Sequence, residues 1–273
     1  MLATVAVVLS LVPGQSSDRM PQAPWVTVQA WTFNRTNAVE AIGRVAACGA
    51  KYIELYPGQR VAPEWAVGVG PDMPAEAEKR LVDALVQAGV RPVAFGVTGI
   101  PNDEARARNL FEWAKRLGIR VINTESTDSI DVAERLAKEL DISVGYHNHP
   151  KSSDPNYKVW NPQYIYDLVK QRDRRLGACA DTGHWVRSGI KPVDALKTLR
   201  GRVVSSHLKD LHEFSAKGYD VPYGFGVSDV NGILAAFSRG KWAGPISVEY
   251  ERFENERIID VAQCVGYLRG KGL

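Results

Sequence analysis

The chain has 273 residues, 45% of them hydrophobic and 24% charged, which is the composition of a folded protein with a substantial core. Its 34 basic and 31 acidic residues are interspersed and leave a formal charge of +3, so no basic block or stripe argues for nucleic acid. Cys48, Cys179 and Cys264 are too widely spaced for a disulfide framework or a thiolate zinc motif.

Leu2 to Val12 is an apolar run broken only by Thr4 and Ser10, followed by Pro13-Gly14-Gln15-Ser16-Ser17. It falls short of the roughly 20 residues that a spanning helix needs and matches the core of a secretory leader, although the positive n-region is missing. The expectation is a leader over residues 1–17, a polar linker over 18–24 and an exported, periplasmic or extracellular, protein without membrane association. If the segment is no leader, the location is cytoplasmic.

From Trp25 onward strand-like and helix-like segments alternate. Val26 to Trp31 reads as a first strand, and Thr36 to Cys48 as a helix with Val39, Ile42, Val45 and Ala46 on one face and Gly49 as its stop. Tyr52 to Leu55, Arg91 to Val97 and Ile119 to Asn123 follow as strands. Between and after them Glu76 to Ala88, a segment capped by Asn102-Asp103, and Ile130 to Leu140 read as helices. Ile142 to Tyr146 runs into His147-Asn148-His149, and Asn161-Pro162 opens the next helix. Leu176 to Ala180, Arg202 to Ser206 and Ile246 to Val248 complete the strands. The helices after them are Pro192 to Leu199, Val230 to Phe237 and Ile258 to Leu268.

Strand–helix units repeated eight times between residues 25 and 273 are the arithmetic of a single (β/α)8 TIM barrel. A doubly wound open sheet competes, but no Gly-rich fingerprint follows the first strand. The tracts Pro150 to Trp160 and Asp210 to Asp229 exceed ordinary connection lengths and are expected to line a substrate pocket.

In such a barrel the C-terminal strand ends carry the chemistry. Those ends hold Glu54, Glu125, His147, His149, Asp181, His184, His207, Lys209 and Glu249, and all five histidines fall between residues 147 and 212. Burying so many carboxylates and imidazoles is costly unless a cation neutralises them. Oxygen and nitrogen ligands without thiolate suit one divalent ion, Mn²⁺, Mg²⁺, Co²⁺ or Zn²⁺, and no motif calls for an organic cofactor. Trp31, Tyr56 and Trp185 stand at or just past strand ends, where an aromatic face can stack on a sugar. Core packing is the alternative for each, above all for Trp31.

Asp181-Thr182-Gly183-His184-Trp185, Ser206-His207-Leu208-Lys209-Asp210 and Ser247-Val248-Glu249-Tyr250-Glu251, in this order, resemble the xylose-isomerase-like barrel superfamily. The group includes sugar isomerases and epimerases, inosose dehydratase and the endonuclease IV type. The resemblance implies that Asp181, His207 and Glu249 are metal ligands. Many relatives draw a fourth ligand from a Glu at the end of strand five, where this chain reads Tyr146-His147-Asn148-His149, so the fourth ligand is expected to be Glu125, or else His149.

The expected activity is a metal-dependent isomerase or epimerase of a small keto-sugar. The alternative is a metal-dependent lyase or hydratase acting on a 3-keto-sugar or keto-glycoside, since the Tyr-His-Asn-His and His-Leu-Lys-Asp runs look closer to the inosose dehydratase branch. Glu249 or His149 is expected as base, and Lys209 or His184 as the acid. Glu54, His147, Trp185, Tyr56 and Trp31 are expected on the substrate. A repair nuclease needs more histidines and DNA-gripping basic loops. A catalytically silent sugar-binding barrel sits poorly with an intact Asp181, His207 and Glu249 set.

Overall fold

The computed structural model describes residues 24–252 and 257–273. The expected leader at 1–17 and all but the last residue of the expected linker lie outside the described residues. The barrel strands run in chain order as β1 (Trp25–Gln29), β2 (Tyr52–Leu55), β3 (Arg91–Phe95), β4 (Val121–Thr124), β5 (Ser143–His147), β6 (Leu176–Asp181) and β7 (Val203–Leu208). A short antiparallel ribbon of β8 (Asp210–Leu211) and β9 (Asp220–Val221) interrupts the series before β10 (Pro245–Val248). The parallel strands close in the order β1-β10-β7-β6-β5-β4-β3-β2. This is a single (β/α)8 barrel.

Helices α1 (Ala38–Ala47), α2 (Ala75–Ala88), α3 (Glu104–Arg116), α4 (Ile130–Leu140) and α5 (Pro162–Val169) cover the first half of the barrel. The short α6 (Thr182–Arg187) then leads to α7 (Pro192–Leu199), α8 (Val230–Arg239) and α9 (Ile258–Gly270). No described helix is long and apolar enough to cross a membrane. Strand alternation sends Ile53, Ile122, Val144, Ile246 and Val248 outward against the helices, all fully buried. Each such side chain contributes roughly 1.5–3 kcal/mol by leaving water.

The inward positions are polar, and this shifted the strand ends relative to the sequence reading. β5 runs through His147, β6 through Asp181 and β7 past His207 to Leu208, because the polar side chains of His147, Asp181 and His207 face the barrel interior rather than solvent. β1 instead stops at Gln29, whose side chain accepts from the Trp31 amide and starts a 3-10 turn over Ala30–Phe33. The tract directly after β6 is helical. Asp181 caps α6 by accepting from the His184 amide at 2.7 Å.

Candidate metal centre

Four neighbouring strands place a small residue inward and a functional residue two positions later: Gly145 and His147, Cys179 and Asp181, Ser205 and His207, Ser247 and Glu249. The lower layer has to be small. A Cβ on Gly145 would stand 2.4 Å from Asn123 Oδ1 and 2.9 Å from Ser205 Oγ. In the upper layer His147, Asp181, His207 and Glu249 each offer one ligand atom, and these atoms lie within 4.8 Å of one another. All four side chains are buried.

His147 Nε2 and His207 Nδ1 are buried without a hydrogen bond, and Glu249 Oε2, 2.6 Å from Lys209 Nζ and 3.0 Å from His207 Nδ1, is held by charge contacts alone. Buried polar atoms are nearly always paired, so their convergence fits a bound cation. Two imidazoles and two carboxylates form a set of hard and borderline donors, suited to Mn²⁺, Mg²⁺, Co²⁺ or Zn²⁺.

Behind the group lies a fixed polar layer. His207 Nε2 is 3.0 Å from Glu54 Oε1. Glu54 also accepts from Asn123 Nδ2 at 2.7 Å and from Ser247 Oγ at 2.6 Å. Ser205 Oγ donates to Asn123 Oδ1 at 2.6 Å. With Nε2–H given to Glu54, His207 keeps Nδ1 bare toward the centre, the usual way a carboxylate orients a metal-binding histidine.

Asp181 divides its oxygens. Oδ1 caps α6, while Oδ2 lies 2.6 Å from Lys209 Nζ and 3.5 Å from His147 Nε2. Lys209 has no exposed surface and also reaches Glu249 Oε2 at 2.6 Å and Glu251 Oε2 at 3.4 Å. Its stem lies against Gly183, where a Cβ would come 2.7 Å from Lys209 Cβ, so the glycine of Asp-Thr-Gly-His is a packing requirement. Burial works against the Lys209 charge, but Asp181, Glu249 and Glu251 raise it well above the usual lysine range. Burial also pushes the Asp181 carboxyl up, and His184, Lys209 and His147 together hold it well below the usual carboxylate range. His184 is held well below the usual imidazole range, by burial first.

On the other side stands Glu125, just past β4. Its Oε1 lies 2.5 Å from His149 Nδ1 and 3.2 Å from His147 Nδ1, and accepts from the Tyr157 hydroxyl at 3.0 Å. Burial raises the Glu125 carboxyl, but the hydrogen bonds from His147 and His149 outweigh it and lower the group to about 2. The His149 side chain is 51% exposed and faces solvent beside the buried cluster.

The chain matches the family described as Xylose isomerase-like TIM barrel over residues 42–265. It belongs to that family. No curated protein sequence matches the chain. Among solved structures, an uncharacterized protein from Parabacteroides distasonis is 26% identical with a TM-score of 0.72, covering 91% of this chain and 99% of its own. A D-tagatose 3-epimerase-like protein is 15% identical with a TM-score of 0.68, covering 90% and 96%. A protein named IolI, solved with a bound zinc atom, is 17% identical with a TM-score of 0.68, covering 90% and 97%.

Within this xylose-isomerase-like barrel Asp181, His207 and Glu249 come together, and His147 completes the group in the place the sequence reading left to Glu125 or His149. Glu125 and His149 stand one step outside, joined to His147 in a second group. Glu54, expected on the substrate, is fully buried behind His207 with both oxygens bonded. Trp185 is 2% exposed and Tyr56 is buried, so both pack in the core, whereas Trp31 is 40% exposed and meets Tyr56 edge-on at 5.1 Å. His184 Nε2 is 3.4 Å from Lys209 Nζ beside Asp181.

Four residues that sequence reasoning passed over shape the site. Asn148 Nδ2 donates to Asp181 O and Asn148 Oδ1 accepts from Asp181 N, both at 3.0 Å, tying the end of β5 to that of β6. Tyr157 brings the long tract after β5 onto Glu125. Arg187 donates to Glu251 Oε2 at 2.8 Å and Asp220 Oδ2 at 3.0 Å, linking the ribbon and the end of β10 to α6. Burial pushes the Asp220 carboxyl up to about 7 against the pull of Lys209 and Arg187. Parity was the available signal for His147, which stands two residues after an inward small residue, as Asp181, His207 and Glu249 do.

Proposed function

We propose that the chain is a divalent-metal-dependent isomerase or epimerase of a small keto-sugar, working by removal of a proton next to a carbonyl. The observation that carries this reading is the buried convergence of His147 Nε2, His207 Nδ1 and Glu249 Oε2 with Asp181, beside a half-exposed histidine. His147, Asp181, His207 and Glu249 would hold the ion. When bound, the ion would polarise the substrate carbonyl and a neighbouring hydroxyl, making the α-hydrogen acidic. His149 supplies a base open to substrate. Lys209 and His184 line the opposite side as donors to the oxygen on which charge develops. Trp31 offers a ring face at the rim. With the leader read as an export signal, the substrate is a free or glycosidic sugar rather than a phosphorylated one.

A second reading, a lyase or hydratase acting on a 3-keto-sugar or keto-glycoside, is favoured by one observation. The strand-five position opposite Glu249 carries His147, so two facing carboxylates are not available to pass a proton across the substrate, and Glu249 is itself held by Lys209 at 2.6 Å. Removal of the same α-proton would then end in departure of a β-oxygen.

A proton NMR time course in D₂O separates the two. The Mn²⁺-loaded protein is incubated with a ketohexose and with a 3-keto-glucoside, and protein and ion are removed before acquisition. Deuterium entering an α-carbon with the formula otherwise kept is the expected result. Loss of water or aglycone with an enone moves the protein to the lyase class. No change with either substrate, with or without ion, leaves a sugar-binding barrel and sinks the enzyme reading for these substrates.

A further inference from the structure

Glu125 Oε1 is approached by three donors: His149 Nδ1 at 2.5 Å, the Tyr157 hydroxyl at 3.0 Å and His147 Nδ1 at 3.2 Å. An ionised carboxylate only accepts, so both Nδ1 atoms carry the hydrogen. A neutral imidazole has one N–H, which leaves Nε2 of each ring as a bare lone pair. For His147 that atom is the buried, unpartnered Nε2 directed at the metal group, 3.5 Å from Asp181 Oδ2. For His149 it belongs to a ring that is half exposed and 4.7 Å from the His147 ring, centroid to centroid. Tyr157 closes the arrangement, since its oxygen also accepts from the His149 amide at 2.8 Å and so clamps the backbone of the same histidine.

The opposite wall is built the other way round. His184 Nδ1 lies 3.1 Å from Arg187 Nη1, and a guanidinium has no acceptor, so Nδ1 is the lone pair and Nε2 carries the hydrogen. Lys209 Nζ stands 3.4 Å from that Nε2 and would prefer it bare. The ammonium has closer acceptors in Asp181 and Glu249, both at 2.6 Å, so the shorter Arg187 contact decides. The His149 and His184 rings are 5.0 Å apart, one presenting a lone pair and the other an N–H.

The geometry points to Glu125 as a positioning residue that holds His147 and His149 in the Nδ1–H tautomer, so that one bare Nε2 serves the divalent ion and the other takes the substrate's α-hydrogen. This rests on the reading of the site as a proton-moving sugar enzyme. In the step itself the α C–H bond breaks, its proton goes to His149 Nε2 and its electron pair moves into the enediolate. The charge gained by the imidazole is balanced by the Glu125 carboxylate on Nδ1–H. Return of the proton regenerates neutral His149. A glutamate that looks like a metal ligand from the sequence thereby acts through two histidines instead.

The test is long-range proton–nitrogen NMR on metal-free protein with ¹⁵N-labelled histidine, at a pH where His149 is neutral. His149 is expected as Nδ1–H, the form that free imidazole in water disfavours, and Glu125→Leu is expected to move it to Nε2–H. Tyr157→Phe, which leaves Glu125 in place, is expected to keep Nδ1–H and guards against a Glu125→Leu chain that fails to fold. In turnover, Glu125→Leu is expected to lower kcat by about 100-fold while KM stays within about threefold, as loss of a positioned base requires. Its ion stoichiometry should remain one per chain, with affinity reduced about 10- to 100-fold through His147. His149 found as Nε2–H in the unmodified protein overturns the inference, as does a second ion per chain that Glu125→Leu removes. If the tautomers are as stated and no sugar turns over, the functional reading falls alone. If a sugar turns over and His149 is Nε2–H, the positioning role falls alone.

Discussion

Nε2 of His207 lies 3.0 Å from Oε1 of Glu54, and neither side chain has any exposed surface. A neutral histidine bonded in this way has its proton on Nε2 and its lone pair on Nδ1, toward Glu249 and the rest of the metal group. Glu54→Gln keeps the shape but removes the charge. It is expected to weaken ion binding about 10- to 100-fold with the fold intact. Calorimetric titration with Mn²⁺ measures this, and an unchanged affinity would mean that Glu54 merely fills the barrel.

Asp181 serves three partners at once, capping α6, pairing with Lys209 and facing the metal group. Asp181→Asn retains the capping oxygen and is expected to abolish ion binding while leaving a folded barrel. Asp181→Ala also loses the cap, worth about 1 kcal/mol, and leaves the Lys209 ammonium with fewer partners. Far-UV circular dichroism with metal analysis checks both. Full ion stoichiometry in either variant would remove Asp181 from the ligand set.

Metal binding should strengthen as pH rises. In the metal-free protein burial works against charging His147 and His207. Hydrogen bonds from His147 to Asp181 and Glu125, and for His207 the adjoining Cys179 thiol with the charges of Glu54 and Glu249, nonetheless raise both above the usual imidazole value of 6.5. An ion has to displace those protons, so affinity climbs as pH passes upward through the raised values, with net proton release. The metal-free fold behaves oppositely. The stabilisation from these histidines is full below 6.5 and is lost as pH rises through their folded values. Titrations in buffers of different ionisation enthalpy report the released protons, and a pH-independent affinity with none released would contradict this.

Lys209→Met removes the ammonium that lies 2.6 Å from both Asp181 Oδ2 and Glu249 Oε2, leaving two buried carboxylates facing each other. The metal-free variant is expected to lose roughly 3–5 kcal/mol of stability, much of it restored by Mn²⁺. Thermal unfolding with and without the ion measures both effects. A variant as stable as the parent without metal would mean that those carboxylates are protonated there.

The alternation of strands and helices was readable because apolar periodicity and helix stops are local. Ile130–Leu140 and Pro192–Leu199 fall where the pattern put them. The ends of β5, β6 and β7 were not readable, since a polar residue ordinarily signals a strand's exit to solvent and here faces inward across the barrel. The ribbon of β8 and β9 was also missed. It consists of two short pairs held by long-range contacts, such as Arg187 to Asp220 and the amides of Gly224, Gly226 and Ser228 to Asp210.

The sequence by itself determined that the chain repeats strand and helix eight times, and that strand ends six, seven and eight bring an Asp, a His and a Glu to one rim. These follow from spacing along the chain. Which imidazole joins them was decided only by the closed barrel, because His147 and His149 are two residues apart in sequence and differ in what surrounds them. His147 is enclosed by β6 and β7, with Asp181 and His207 as neighbours, while His149 has already left the strand and stands half in solvent. Glu125, fifty-six residues before Asp181 in the chain, meets the Nδ1 atoms of both histidines. Side-chain direction and enclosure belong to the tertiary structure, and they set His147 inside the buried group and His149 at its open edge.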